Sequence, residues 1–147
     1  MSTETPAFSF DTQKLVLKLR ITLAAHPNLV DSVVESVMDQ IKKAQCAADK
    51  ADALELALTE ALANAVMHGA KADPSKTIEC DLMCDEAQRV LIVVRDPGQG
   101  FDLSSIPNPL SGERLHSDHG RGIYLINQLM DEVKFLKNGA EIHMLKR

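Results

Sequence analysis

The chain has 147 residues, 45% of them apolar and 25% charged, which suits one globular domain with a sizeable core. Its net charge of -5, with acids and bases interspersed and no basic run or aromatic-basic patch, argues against nucleic acid as a partner. No apolar stretch approaches the roughly 20 residues that cross a bilayer, and MSTETPAF lacks the basic and apolar regions of a signal peptide, so a cytoplasmic chain with no membrane contact is expected.

Residues 1–7 read as a loose end and residues 8–147 as a single domain. From Phe8 to Leu23 the pattern is strand-like, with Leu15, Leu17, Leu19 and Ile21 alternating against Lys14, Val16, Lys18, Arg20 and Thr22. AAHPN breaks that strand. Leu29 to Gln45 then has helical spacing, its stripe being Leu29, Val33, Val34, Val37, Met38 and Ile41. CAADKAD leads into a second helix, with Asp52 as the candidate cap.

That second helix, Leu54 to Gly69, reads LELALTEALANAVMHG and is apolar on nearly every side, which predicts protein cover almost all round. Glu60, Asn64 and His68 interrupt it at four-residue spacing and so share a face. A carboxylate there can accept a proton or position a water, and an amide oxygen suits a hard cation. The plainer alternative is that the three groups only satisfy a neighbouring loop.

GAKADPSK, rich in turn formers, ends the helix. Thr77 to Cys84 alternates Ile78, Cys80 and Leu82 against Glu79 and Asp81, and Arg89 to Asp96 (RVLIVVRD) reads as a central strand, the two joined by a DEAQ hairpin. Pro97 to Asp118 is an irregular stretch whose length marks a functional or mobile loop. A short helix, Ile123 to Met130, precedes strands at Val133 to Lys137 and Glu141 to Leu145, joined through an Asn-Gly turn. The sum is an α/β (α+β) two-layer sandwich, its mixed, mainly antiparallel sheet covered by helices on one face.

Three cysteines, Cys46, Cys80 and Cys84, form no CxxC pair. Cys80 and Cys84 lie about 13 Å apart along one strand, beyond the roughly 7 Å that a disulfide spans, so reduced, buried thiols are expected. His26 and His143 have no suggestive company, and His116, Asp118 and His119 read as a solvated loop rather than a transition-metal site. No nucleophile elbow with a Ser-His-Asp arrangement is present.

Two stretches carry further chemistry. In Asp96-Pro97-Gly98-Gln99-Gly100-Phe101 the glycines let the backbone turn sharply and approach a flat ligand. Asp96, ending a buried strand, can accept a hydrogen bond from an exocyclic amine such as adenine's, and a tight turn with a capping aspartate is the alternative. His119-Gly120-Arg121-Gly122 precedes the last helix, where glycine amides and an arginine can cradle phosphate or simply serve as hinge and cap. There is no GxxxxGK[ST] loop and no Rossmann fingerprint.

In this order, Glu60-x-x-x-Asn64-x-x-x-His68, then Asp96-x-Gly98-x-Gly100-Phe101, then Gly120-x-Gly122, the chain resembles the Bergerat-fold ATPases, which include gyrase B and the histidine kinases. Through TEALANAVMHGA, VRDPGQGFD and HGRGIYLINQLMDEVKF it most resembles the bacterial anti-sigma factor serine/threonine kinases, from about Leu23 to the C-terminus. The resemblance implies ATP and Mg²⁺ as cofactors, with Asn64 holding the metal and Glu60 as the catalytic carboxylate. It implies that Asp96 takes the adenine amino group, that Gly98, Gly100 and Phe101 close over the base, and that His68 supports the pocket. His119, Gly120, Arg121 and Gly122 would face the phosphates, with Pro107 to His119 as a lid. The phosphoacceptor would be a serine or threonine of a STAS-type anti-anti-sigma protein, in a homodimer acting in a partner-switching pathway. A nucleotide-dependent binding switch with little catalysis is the other reading. A sigma factor is a further partner of this family, but the arginine of sigma-binding members is absent from HPNLVDSVVES. A basic residue that some members carry before the glycine pair is replaced here by Asp118 and His119.

Overall fold

A computed structural model describes residue 10, residues 13–98 and residues 118–147, the side chains of 118–120 excepted. The chain runs β1 (Leu15–Ala24), α1 (Val30–Lys43), α2 (Ala51–Asn64), β2 (Thr77–Asp85), β3 (Val90–Arg95), α3 (Asp118–Leu129), β4 (Glu132–Leu136) and β5 (Glu141–Lys146). The strands form one sheet in the order β1-β2-β3-β5-β4, and each neighbouring pair is antiparallel. The run read as a central strand is the middle one, and all five residues Val90 to Val94 are buried. A continuous apolar strand needs cover on both faces, which the helices supply on one side and the cluster with Phe10 and Met83 on the other.

The strand alternation decides which face meets the helices. Ile78, Leu82, Ile92 and Met144 point to one side, into a core with Val37 and Ile41 of α1 and Leu54, Leu58 and Leu62 of α2. Their partners in the alternation, Leu91, Val93 and Leu145, form a smaller cluster on the other side with Met83 and Phe10. That second face also carries charge. Asp81 takes both Arg20 (2.7 and 2.9 Å) and Arg95 (2.7 Å). Burial alone would raise its carboxyl, but these two guanidinium groups outweigh it and hold it below the usual range. His143, which the sequence leaves without company, lies buried with Nε2 2.7 Å from Glu141 Oε1. Residues two apart on a strand share a face, so the pairing follows from geometry.

Three expectations need correction. Asp52 does not cap α2: Lys50 holds the cap position without a side-chain bond, and Asp52 stands in the first turn. Protein does not cover α2 nearly all round either. The sheet, α1 and α3 cover one arc, and Leu56 and Met67 remain 42% and 49% exposed. The cysteines are not all reduced: Cys46 and Cys84 form a disulfide, and Cys80 is the buried free thiol. The sequence pattern compares cysteines along one strand, whereas this pair joins the turn after α1 to the end of β2. Gln88 Oε1 ties the same turn down by accepting the Ala47 amide at 2.6 Å.

The disulfide joins residues 38 apart, a loop for which chain entropy gives about 4 kcal/mol. Reducing it is expected to lower the melting temperature by about 8–16 °C, measured by calorimetry with and without a thiol reductant. Among the described residues no helix is long and apolar enough to cross a membrane.

Candidate functional site

The polar face of α2 opens at its C-terminal end, where the helix widens into a π-helical turn, Ala65–Gly69. The Ala70 amide reaches back to the Ala65 carbonyl (2.9 Å) and the Ala72 amide to that of Val66 (2.7 Å), closing the helix over a wider turn. Such turns occur often at functional sites. This one carries His68 and Gly69 to the edge of a cleft partly open to solvent. Val94, Ile123, Phe135 and Ile142 supply its apolar lining, and Asn64, His68 and Asp96 its polar side chains.

Asp96 follows β3 and is anchored by its own backbone, its amide donating to the Ala140 carbonyl at 2.9 Å. Its Oδ1 accepts the Gly98 amide at 2.8 Å. The carboxylate lies directly against the end of α2. A Cβ on Gly69 would stand 2.2 Å from Asp96 Cγ, and one on Gly98 would stand 2.3 Å from the Gly69 carbonyl oxygen. Glycine is required at both places because the end of α2 and the Asp96–Gly98 turn meet where no further side chain fits. Sequence reasoning found Gly98 and missed Gly69, although the His-Gly at the end of the first motif was its signal. It missed Phe135 of β4 and Gly139 and Ala140 of the β4–β5 connection as well, which line the cleft.

Burial raises the Asp96 carboxyl above its ordinary 3.8, and the Gly98 amide opposes this only in part. A raised carboxyl binds its proton more tightly in the folded than in the unfolded chain. Its stabilising contribution is therefore present below the ordinary value and is lost as pH rises through the raised one. Asp96→Asn is expected to raise the melting temperature at pH 7, where it removes a half-buried charge, and to leave it nearly unchanged near pH 3. The same variant should bind adenine nucleotides more weakly.

Gly122 closes the other end of the site. A Cβ there would lie 2.9 Å from Glu60 Oε2 and 3.2 Å from both Asn64 Oδ1 and Nδ2, so α3 rests directly on these two half-buried side chains. The structure thus brings together Glu60, Asn64, His68, Asp96, Gly98 and Gly122 from the three motifs. It places the glycine pair differently from expectation: α3 begins at Asp118, so Gly120, Arg121 and Gly122 lie within the helix rather than before it, and Arg121 is exposed. Gly100, Phe101, His116 and Pro107 to Ser117 lie outside the described residues, as do the side chains of Asp118 and His119.

These residues fit an adenine nucleotide. An apolar lining with one carboxylate at its edge suits a base bearing an amino group, and the glycines at 69 and 98 let the end of α2 and the turn after β3 pack together beside it. Among the described residues no three His, Cys, Asp or Glu side chains gather. A hard cation at Asn64 would therefore draw the rest of its shell from ligand oxygens and water, as Mg²⁺ ordinarily does.

Residues 23–146 match the histidine kinase-like ATPase domain. The chain is 26% identical over 132 residues to a protein named anti-sigma F factor from Bacillus cytotoxicus, covering 86% of this chain and 80% of that one. A protein of the same name from Bacillus thuringiensis gives the same identity and coverage. The chain is 34% identical over 105 residues to the serine-protein kinase RsbW of Bacillus licheniformis, covering 67% of this chain and 65% of that protein.

Proposed function

The chain belongs to the histidine kinase-like ATPase domain family, and on that premise we propose that it is an ATP- and Mg²⁺-dependent serine/threonine protein kinase of the anti-sigma factor type. Its acceptor in this reading is a STAS-type anti-anti-sigma protein. The names of two relatives that match most of the chain, a serine-protein kinase and an anti-sigma factor, support this. A sigma factor is a second partner in the same reading, and the chain acts as a homodimer.

The observation that carries the proposal is the contact of Gly122 with both Glu60 and Asn64, at the end of a cleft whose other end holds Asp96. Asp96 Oδ1 is engaged by the Gly98 amide, and the remaining acceptor capacity of the carboxylate would take the amino group of adenine. Asn64 would hold the metal, which would offset charge on the phosphate oxygens. Glu60 takes the proton of the acceptor hydroxyl as its oxygen bonds to the γ-phosphorus and the bond to the departing ADP oxygen breaks. Gly122 lets α3 approach these two side chains closely, and the first amides of α3 favour negative charge on the phosphates.

One observation favours the alternative, a nucleotide-dependent binding switch with little transfer: Arg121 lies exposed within α3, and the residues just before the glycine pair are not basic. Incubation with labelled ATP, Mg²⁺ and the STAS-type proteins of the same genome separates the two. Label on an acceptor serine or threonine is expected. Nucleotide binding with no label on any acceptor would leave only the switch.

A further inference from the structure

Leu56 and Met67 are large apolar side chains that α2 does not bury, at 42% and 49% exposure. Singly exposed apolar residues are ordinary, but these two lie on one helix face. Positions 56, 60, 63 and 67 follow helical spacing, so Leu56, Ala63 and Met67 form a ridge about 16 Å long with Glu60 along its border. Beside it, Thr59 gives its hydroxyl to the Glu55 carbonyl at 2.8 Å, so the helix itself uses the nearest donor. The core takes the opposite arc of α2, through Leu54, Ala57, Leu58, Ala61 and Leu62. Core packing therefore gives no account of the ridge.

We propose that this ridge is the docking surface for the phosphoacceptor: an apolar segment of the partner protein that carries the serine or threonine hydroxyl. The inference rests on the kinase reading above and adds where the acceptor sits. A hydroxyl that reaches the Glu60 carboxylate brings its own chain across the residues one turn to either side, and on the solvent side these are Leu56 and Ala63. The small side chain of Ala63 leaves that approach open. Charge selects the same partner. Asp52 and Glu55 are exposed at the N-terminal end of the ridge, and no lysine or arginine occurs between Ala51 and Ala70. The acceptor segment accordingly carries a basic residue at the end facing Asp52 and Glu55, and acidic flanks are disfavoured.

The test uses the full chain, labelled ATP, Mg²⁺ and the STAS-type proteins of the same genome as acceptors. In L56S/M67S the acceptor concentration for half-maximal transfer is expected to rise at least about tenfold, with ATP affinity and melting temperature unchanged. Leu56→Met with Met67→Leu, which keeps the ridge apolar, should retain the original half-saturation. So should Val16→Ser, an equally exposed residue on β1. If the unaltered chain labels an acceptor and L56S/M67S does so with the same half-saturation, the ridge is not the docking surface and the kinase reading stands. If the unaltered chain labels none, both fall.

Discussion

Glu60→Gln is expected to slow phosphoryl transfer by about 10²–10⁴-fold while ATP affinity stays within about threefold, since a positioned general base contributes on that scale. Glutamine has almost the shape of glutamate and can keep the contact that Glu60 Oε2 makes with the Gly122 backbone. It cannot take the acceptor's proton. The loss should therefore appear in the maximal rate and not in half-saturation by ATP or by acceptor, the pattern of an interaction made only in the transition state. Label incorporation read alongside equilibrium nucleotide binding checks both parts. Undiminished transfer would remove Glu60 from the chemistry. A parallel loss of ATP binding would make it a structural support for α3.

Gly98→Ala is expected to weaken ATP binding by about 5–150-fold, the equivalent of a 1–3 kcal/mol overpacking cost falling on the pocket. The new methyl would stand 2.3 Å from the Gly69 carbonyl oxygen, a backbone atom that no rotamer change can move aside. The end of α2 and the start of the loop after β3 must separate, which opens the floor of the base site. Gly69→Ala should act through a different atom. Its methyl would stand 2.2 Å from Asp96 Cγ and drive the carboxylate away from the Gly98 amide. Both variants should lose affinity for ATP, and because Val66, Ala70 and Val94 of the core adjoin this junction, some melting temperature as well. Calorimetric titration with ATP and thermal melting of the free protein measure the two effects separately. Undiminished binding by both variants would show that the junction does not carry the base.

The burial of β3 was readable because Val90 to Val94 are apolar without alternation, and a strand with no wet face must be covered on both faces. The shared face of Glu60 and Asn64 was readable for the same kind of reason, since helical spacing is local. Other features depend on distances between segments remote in the chain. Gly69 and Asp96 lie far apart in the sequence, and nothing in either stretch states that a carboxylate will press against that Cα. Cys46 and Cys84 are a similar case, because the pairing depends on where the turn after α1 comes down on β2.

What the sequence determined by itself is the set of elements and the identity of the reactive groups, since periodicity and side-chain chemistry are properties of neighbours along the chain. What only the tertiary structure decided is which groups touch and which remain open. The same apolar residue type is buried at Leu58 and exposed at Leu56, because the sheet, α1 and α3 cover one arc of α2 and leave the arc beside Glu60 to solvent. Burial is a property of the assembled layers, and no single helix contains it.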